Sequence, residues 1–161
     1  MKLIADTGAL LSLSCSGFSD FIFQEYDIVI TPAVLQELEQ FSLYADFLGL
    51  HAQKLLREKL VIKSPHTFLE LNLGKAECEV ISVAKEEKMI ALTDDLHAAR
   101  VAKEKYNVAM KPSFYLLLLL YKKKKMSKEE LIQDIHSILK YRNWLSGALW
   151  EYALQLIEKL P

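Results

Sequence analysis

Residues 1–13 read MKLIADTGALLSL, from Met1 to Leu13, and the reading of this stretch decides the fold. Lys2–Ala5 is a short apolar run that ends at an acid, Asp6, and helix-compatible residues follow at once. A strand buried on both faces of a parallel sheet has that unbroken apolar character. Asp6 or Thr7 offers a side-chain oxygen to cap a helix running through Cys15, which Gly17 breaks. The same grammar recurs along the chain. Asp27–Thr31 (DIVIT) reads as a strand, and Pro32 then opens a helix continued by AVLQELEQF. Residues 41–59 read as helical with a break near Gly49, and Leu60–Lys63 as a short strand. Gly74–Lys88 is an amphipathic helix, Met89–Thr93 (MIALT) a buried strand, Asp95–Lys105 a helix and Asn107–Met110 a last short strand.

Beyond residue 110 the pattern is helical. Phe114–Tyr121 is apolar, and Ser127-Lys128-Glu129-Glu130 is a capping box that opens a helix to about Lys140. Ser146 starts a final helix with Leu149, Trp150, Ala153, Leu154 and Ile157 on one stripe. Strands alternating with helices predict an α/β fold, a three-layer α/β/α sandwich around a central, mostly parallel sheet. A length of 161 residues fits a single domain, with a core over 1–110 and C-terminal helices over 112–160.

Composition narrows the class. At 52% hydrophobic and 25% charged residues the chain can bury a core, which excludes disorder. Only 5 glycines and 4 prolines argue against a turn-rich all-β protein. That also disposes of a protease reading of Asp6-Thr7-Gly8, because the aspartic proteases that carry Asp-Thr-Gly are all-β. Cys15 and Cys78 stand in apolar helical stretches without ligand spacing, as inert core thiols do. The N-terminus has no signal-peptide pattern, and no apolar run nears the ~20 residues of a membrane span. The expectation is a cytoplasmic protein with no membrane partner. The net charge of −1 hides an imbalance, since a group of acids gathered at one site leaves the remaining surface net positive.

In a parallel α/β sheet, ligands bind beyond the carboxyl ends of the strands. Asp6 follows LIA and Asp94-Asp95 follow IALT, so all three acids fall at such ends. Two further acids stand on apolar helix stripes: Glu37 with Val34, Leu38 and Phe41, and Glu77 with Val80, Ile81 and Ala84. Glu79 falls instead with Ser82 and Glu86, a solvent-facing set. A carboxylate is seldom buried unless it pairs with a cation, and Arg57, Lys75 and Arg100 are available to pair with one of them. Four or five carboxylates at one edge repel strongly unless divalent cations neutralise them. Oxygen-only donors select hard ions, Mg²⁺ or Mn²⁺. Asp94 and Asp95 leave their strand pointing apart, so one is expected to bind metal and the other to cap the next helix or orient a water.

These residues resemble the PIN domain (PilT N-terminus) family of metal-dependent nucleases. The resemblance rests on four pieces in order: a strand ending in Asp6-Thr7, VITPAVLQEL with Glu37, LGKAECEVISVA with Glu77, and IALTDDLHAARVA with Asp94 and Asp95. It covers residues 1–110, and FYLLLLLYKKKKMSKEE resembles the tail of prokaryotic members. It implies a PIN-like α/β/α sandwich whose acids Asp6, Glu37, Glu77, Asp94 and Asp95 bind one or two Mg²⁺ or Mn²⁺ ions and cut RNA, leaving a 5′-phosphate and a 3′-hydroxyl. Many prokaryotic members resemble VapC toxins, each held inactive by a small antitoxin protein, and others process ribosomal RNA. Gly8 stands where a serine or asparagine is frequent, so Thr7 and Thr93 are expected to supply hydroxyls beside the acids. Glu77 stands where many toxins carry Asp.

Lys122–Lys125 (KKKK) is a candidate phosphate-contacting patch, or a solvated helix end that suits the helix dipole. Leu116–Leu120 is either a buried helix or part of a subunit interface, and a homodimer is expected, partly from the resemblance. The alternative to an endoribonuclease is a catalytically weak RNA-binding or protein-interaction module with the same fold. A Mg²⁺-dependent phosphatase would want Asp-x-Asp at the first strand, where Gly8 stands two residues after Asp6.

Overall fold

The computed structural model describes residues 1–142 and 147–161. Among them the chain forms β1 (Leu3–Ala5), α1 (Thr7–Ser14), α2 (Ser19–Glu25), β2 (Ile28–Ile30), α3 (Pro32–Phe41), α4 (Phe47–Leu55) and β3 (Val61–Ile62). There follow α5 (Lys75–Glu87), β4 (Ile90–Leu92), α6 (Leu96–Tyr106), β5 (Met110–Lys111), α7 (Tyr115–Lys122), α8 (Lys128–Tyr141) and α9 (Gly147–Glu158). The five strands lie in the order β3-β2-β1-β4-β5 and every pairing is parallel. This is the expected PIN-like α/β arrangement with a central parallel sheet.

β1 sits in the middle because all three of its residues are fully buried, as are Ile28 and Ile30 of β2. Its register runs Leu3 opposite Ile28 on one side and Leu3 opposite Ile90 on the other. The ladder extends past the strands: Asp6 N donates to Leu92 O at 3.1 Å and Thr93 N to Lys111 O at 2.9 Å. Those bonds carry the alignment of β1, β4 and β5 into the residues that bear chemistry. The neighbours of β1 are β2 on one flank and β4 on the other, so the order switches there.

Several local expectations are corrected. Helix α2 was not anticipated, because seven residues, SDFIFQE, are too few for a periodic signal and its N-cap Phe18 makes no side-chain capping bond. The helix break in 41–59 falls over residues 42–46, not at Gly49. Asp46 caps α4 by accepting from Gly49 N at 2.8 Å. Gly49 is there for clearance, since a Cβ on it would stand 1.9 Å from the Tyr44 carbonyl oxygen. Strand β5 starts later than Asn107, because Asn107 ends α6 in the left-handed region at φ 52° and cannot be extended. The expected start of the last helix, Ser146, lies outside the described residues. In α9, Leu149, Ala153 and Ile157 are buried but Leu154 is exposed.

The C-terminal helices join the same apolar cluster as β1 and α1, through Leu116, Leu117, Leu120, Leu131, Ile135 and Ile138. Leu116–Leu118 and Leu120 are buried within the chain, which decides the apolar run of α7 in favour of a core helix. The capping box at Ser127 and Glu130 is formed. Buried Asp134 of α8 ties the α1–α2 turn down, accepting from the Ser16 hydroxyl and from Gly17 N at 2.7 Å. No helix among the described residues is long and apolar enough to cross a membrane.

Candidate metal centre

Asp6, Glu37, Glu77, Asp94 and Asp95 all line one cavity of about 550 Å³ at the carboxyl edge of the sheet, beside the β1–β4 switch point. They arrive there on four elements. Asp6 and the Asp94-Asp95 pair follow β1 and β4, Glu37 rides on α3, and Glu77 stands in the first turn of α5. Thr7, Gln40, Phe41 and Arg142 complete much of the wall.

Each acid has a local reason to be where it is. Asp6 is the N-cap of α1, accepting from Ala9 N at 2.7 Å, and Thr93 also hydrogen bonds to it. Burial pushes the Asp6 carboxyl up to about 7, against those bonds and with help from the charges of Asp94 and Glu77. Asp94 is buried; its Oδ1 accepts from Ser113 N at 2.8 Å, and its sealed Oδ2 has no hydrogen-bond partner. Asp95 is exposed and caps α6, accepting from His97 N at 2.8 Å and Ala98 N at 3.0 Å. Glu37 is half-buried and accepts from the Thr7 hydroxyl. Glu77 folds back over the start of α5, where only a glycine fits easily: a Cβ at Gly74 would meet its Oε2 at 2.3 Å.

The two threonines thus brace the acids. Thr7 holds Glu37, and Thr93 bonds Asp6 while accepting from Asp95 N at 3.1 Å. The N-termini of α1 and α6 open onto the cavity and favour negative charge there. The donor set is all oxygen, and the unpartnered Asp94 Oδ2 is the kind of buried anion that a hard divalent cation would satisfy. The residues fit such an ion by chemistry. In the conformation described, no three Asp, Glu, His or Cys side chains among the described residues close on one point in ligating geometry.

Three placements differ from the sequence reading or were absent from it. Glu79 is not solvent-facing: it is buried on α5, which packs against both the sheet and α3, and its Oε2 accepts from Ala33 N at 2.9 Å to serve the N-terminus of α3. Ser82 is buried with it, accepting from Leu69 N. Arg142 was missed. It is 1% exposed, at the end of α8, yet lines the acid cavity. A signal existed, since Leu131, Ile135, Ile138 and Arg142 continue one buried stripe at helical spacing, the same test that found Glu37 and Glu77.

The lysine run lies elsewhere. Lys122, Lys124 and Lys125 line a separate cavity with Ser127 and Glu130. Lys123 binds Glu25 at 2.7 Å and covers the Tyr26 ring at 4.9 Å, just before β2 enters the sheet. Because the strands are parallel, that is the amino edge, opposite the acids.

A sequence profile of the DUF3368 family, a PIN domain, matches residues 2–159, and the chain belongs to the PIN-domain family. Among solved structures it is similar to a PilT N-terminus domain protein, SSO1118, from the hyperthermophilic archaeon Sulfolobus solfataricus. The two share 22% identity at a TM-score of 0.49 over 73% of this chain and 92% of that one. No curated protein matches the sequence.

Proposed function

We propose that this protein is a divalent-cation-dependent endoribonuclease. The carrying observation is that acids from four separate elements line one cavity at the sheet's switch point, with a buried carboxylate oxygen, Asp94 Oδ2, left without a donor. Asp6, Glu37, Glu77 and Asp94 would hold Mg²⁺ or Mn²⁺, while Asp95 keeps α6 anchored as its cap. A bound ion supplies Lewis-acid chemistry: it lowers the pKa of water and neutralises charge on the phosphate.

The chain's own residues do the rest. The positive ends of α1 and α6 draw a phosphate toward the cavity. Thr7 and Thr93 keep Glu37 and Asp6 from rotating away. The Asp6 carboxyl, poised near 7, gives up its proton when a cation arrives. Phe41, on the cavity wall and partly exposed, offers a ring on which an unpaired base can stack.

A second reading, a PIN-fold module that binds RNA or protein without cutting, draws on the absence of a closed ligand set among the described residues. One experiment separates them. Incubate wild type and Asp6→Asn with single-stranded RNA and Mn²⁺, and follow melting with and without the metal. The nuclease reading expects cleavage and metal stabilisation in wild type only. Equal activity in both proteins, or a flat melting response at millimolar Mn²⁺, sinks it.

A further inference from the structure

Arg142 carries a cation into the acid cavity without exposing it. Its three guanidinium nitrogens are sealed from solvent, and it is among the largest fully buried side chains. Burying a guanidinium is costly unless anions stand beside it. The cavity that Arg142 lines is also lined by Asp6, Glu37, Glu77, Asp94 and Asp95. Burial pushes the Arg142 guanidinium below its ordinary value, while Asp94, Cys15 and Asp6 pull it up, in that order. His51 is a further titratable group nearby, and its imidazole feels the Arg142 charge. Asp94 and Asp6, the two acids at the switch-point strand ends, line the same cavity as Arg142.

We infer that Arg142 is the resident counter-cation of the acid cluster, a positioning residue that holds Asp94 and Asp6 together before a divalent ion binds and that weakens the ion's hold once it does. The inference rests on the metal-centre reading above. Two consequences of opposite sign follow. Without Arg142 the carboxylates repel unrelieved, so the metal-free protein loses stability. A divalent ion entering the same cavity no longer meets a neighbouring positive charge, so it binds more tightly. A residue that merely fills the core would lower stability and leave metal affinity alone. A residue that orients a ligand would weaken the ion's binding when removed.

The test compares wild type, Arg142→Met and Arg142→Lys. Mn²⁺ binding is measured by calorimetry, and metal-free stability by urea unfolding. Arg142→Met should be less stable without metal and bind Mn²⁺ about tenfold more tightly. Arg142→Lys, which keeps the charge, should stay near wild type in both. Unchanged or weaker Mn²⁺ binding in Arg142→Met overturns the inference while leaving the metal centre intact. If neither wild type nor Arg142→Met binds Mn²⁺, the metal-centre reading itself falls and takes the inference with it. Should Arg142→Met fail to fold, a Mg²⁺ titration of wild type decides: the Arg142 Nε–H resonance must shift as the ion binds. A resonance that stays put while the ion binds overturns the inference.

Discussion

The two edges of the central sheet handle charge in opposite ways. At the carboxyl edge, every cavity acid but Asp95 is buried or half-buried, Thr7 holds Glu37, and a sealed arginine lines the same cavity. At the amino edge, charges meet in solvent. Lys123 pairs with Glu25 at 2.7 Å, and Lys2 lies 3.8 Å from Glu87, with the lysine side chains about half exposed or more. Exposed pairs of this kind contribute about 0–1 kcal/mol and are screened by salt. The difference locates chemistry by its cost. Charge kept out of water at the carboxyl edge is costly and calls for a proton, as on Asp6, or a counter-charge, as on Arg142; charge at the amino edge costs almost nothing.

The sharpest break of this contrast comes from the strand-end acids. Asp94→Asn should cut RNA cleavage by at least about 100-fold, measured with Mn²⁺ on single-stranded RNA, while the protein keeps its fold by circular dichroism. Loss of folding instead of activity would make Asp94 a structural acid held by Ser113.

Next in size is the pH dependence of the metal-free protein. Asp6 titrates near 3.8 unfolded and about 7 folded, so the native state holds the extra proton between those values. Stability is therefore highest below about 4 from this group and falls as pH rises toward 7, by on the order of 4 kcal/mol. Most folded proteins lose carboxylate-linked stability in the other direction, as pH falls. Urea unfolding at pH 4.5 and 7.5 (about three units apart) checks the sign. Mn²⁺ at the higher pH should restore what is lost, because it takes the proton's place. A metal-free protein that is more stable at the higher pH would contradict the burial of Asp6.

Much of this architecture was legible in the residues. Continuous apolar runs LIA, IVI and IAL mark strands buried on both faces, and Asp6, Thr31 and Asp95 mark the helices that follow. Acids at strand ends and on apolar stripes were legible for the same reason. Glu79 was misread because two-sided burial of α5 widens its apolar face beyond one stripe. Arg142 escaped because a helix end near Lys140 cuts its stripe one residue pair short. The lysine run was plain, but its distance from the acids depends on the direction of α7, which leaves the acid edge at Ser113 and ends at the far one.

A smaller effect separates Glu79 from the acids around the cavity. Glu79→Ala removes the acceptor for Ala33 N and should cost about 1–2 kcal/mol in urea unfolding, with the Mn²⁺-induced gain in stability unchanged. Loss of that gain would move Glu79 into the metal centre.

The amino edge gives the smallest effects, and they depend on substrate length. Helix α7 has eight residues, about 12 Å of rise, and it carries the chain from Asp94's partner Ser113 to Lys122. A short oligonucleotide seated in the acid cavity therefore ends before it meets Lys122, Lys124 or Lys125. Replacing these three by alanine should leave cleavage of such an oligonucleotide within about twofold of wild type. A long RNA can reach round to them, and its salt dependence should become shallower by about 0.7 for every phosphate that no longer meets a lysine. Lys123 belongs to Glu25, so Lys123→Ala should change neither slope nor cleavage and should cost under about 1 kcal/mol of stability. If the triple variant loses short-substrate cleavage as well, the two edges are not separate, and the lysines act at the scissile phosphate. If long-RNA binding keeps its full salt slope, the amino edge plays no part in substrate binding and its lysines are a solvated helix end.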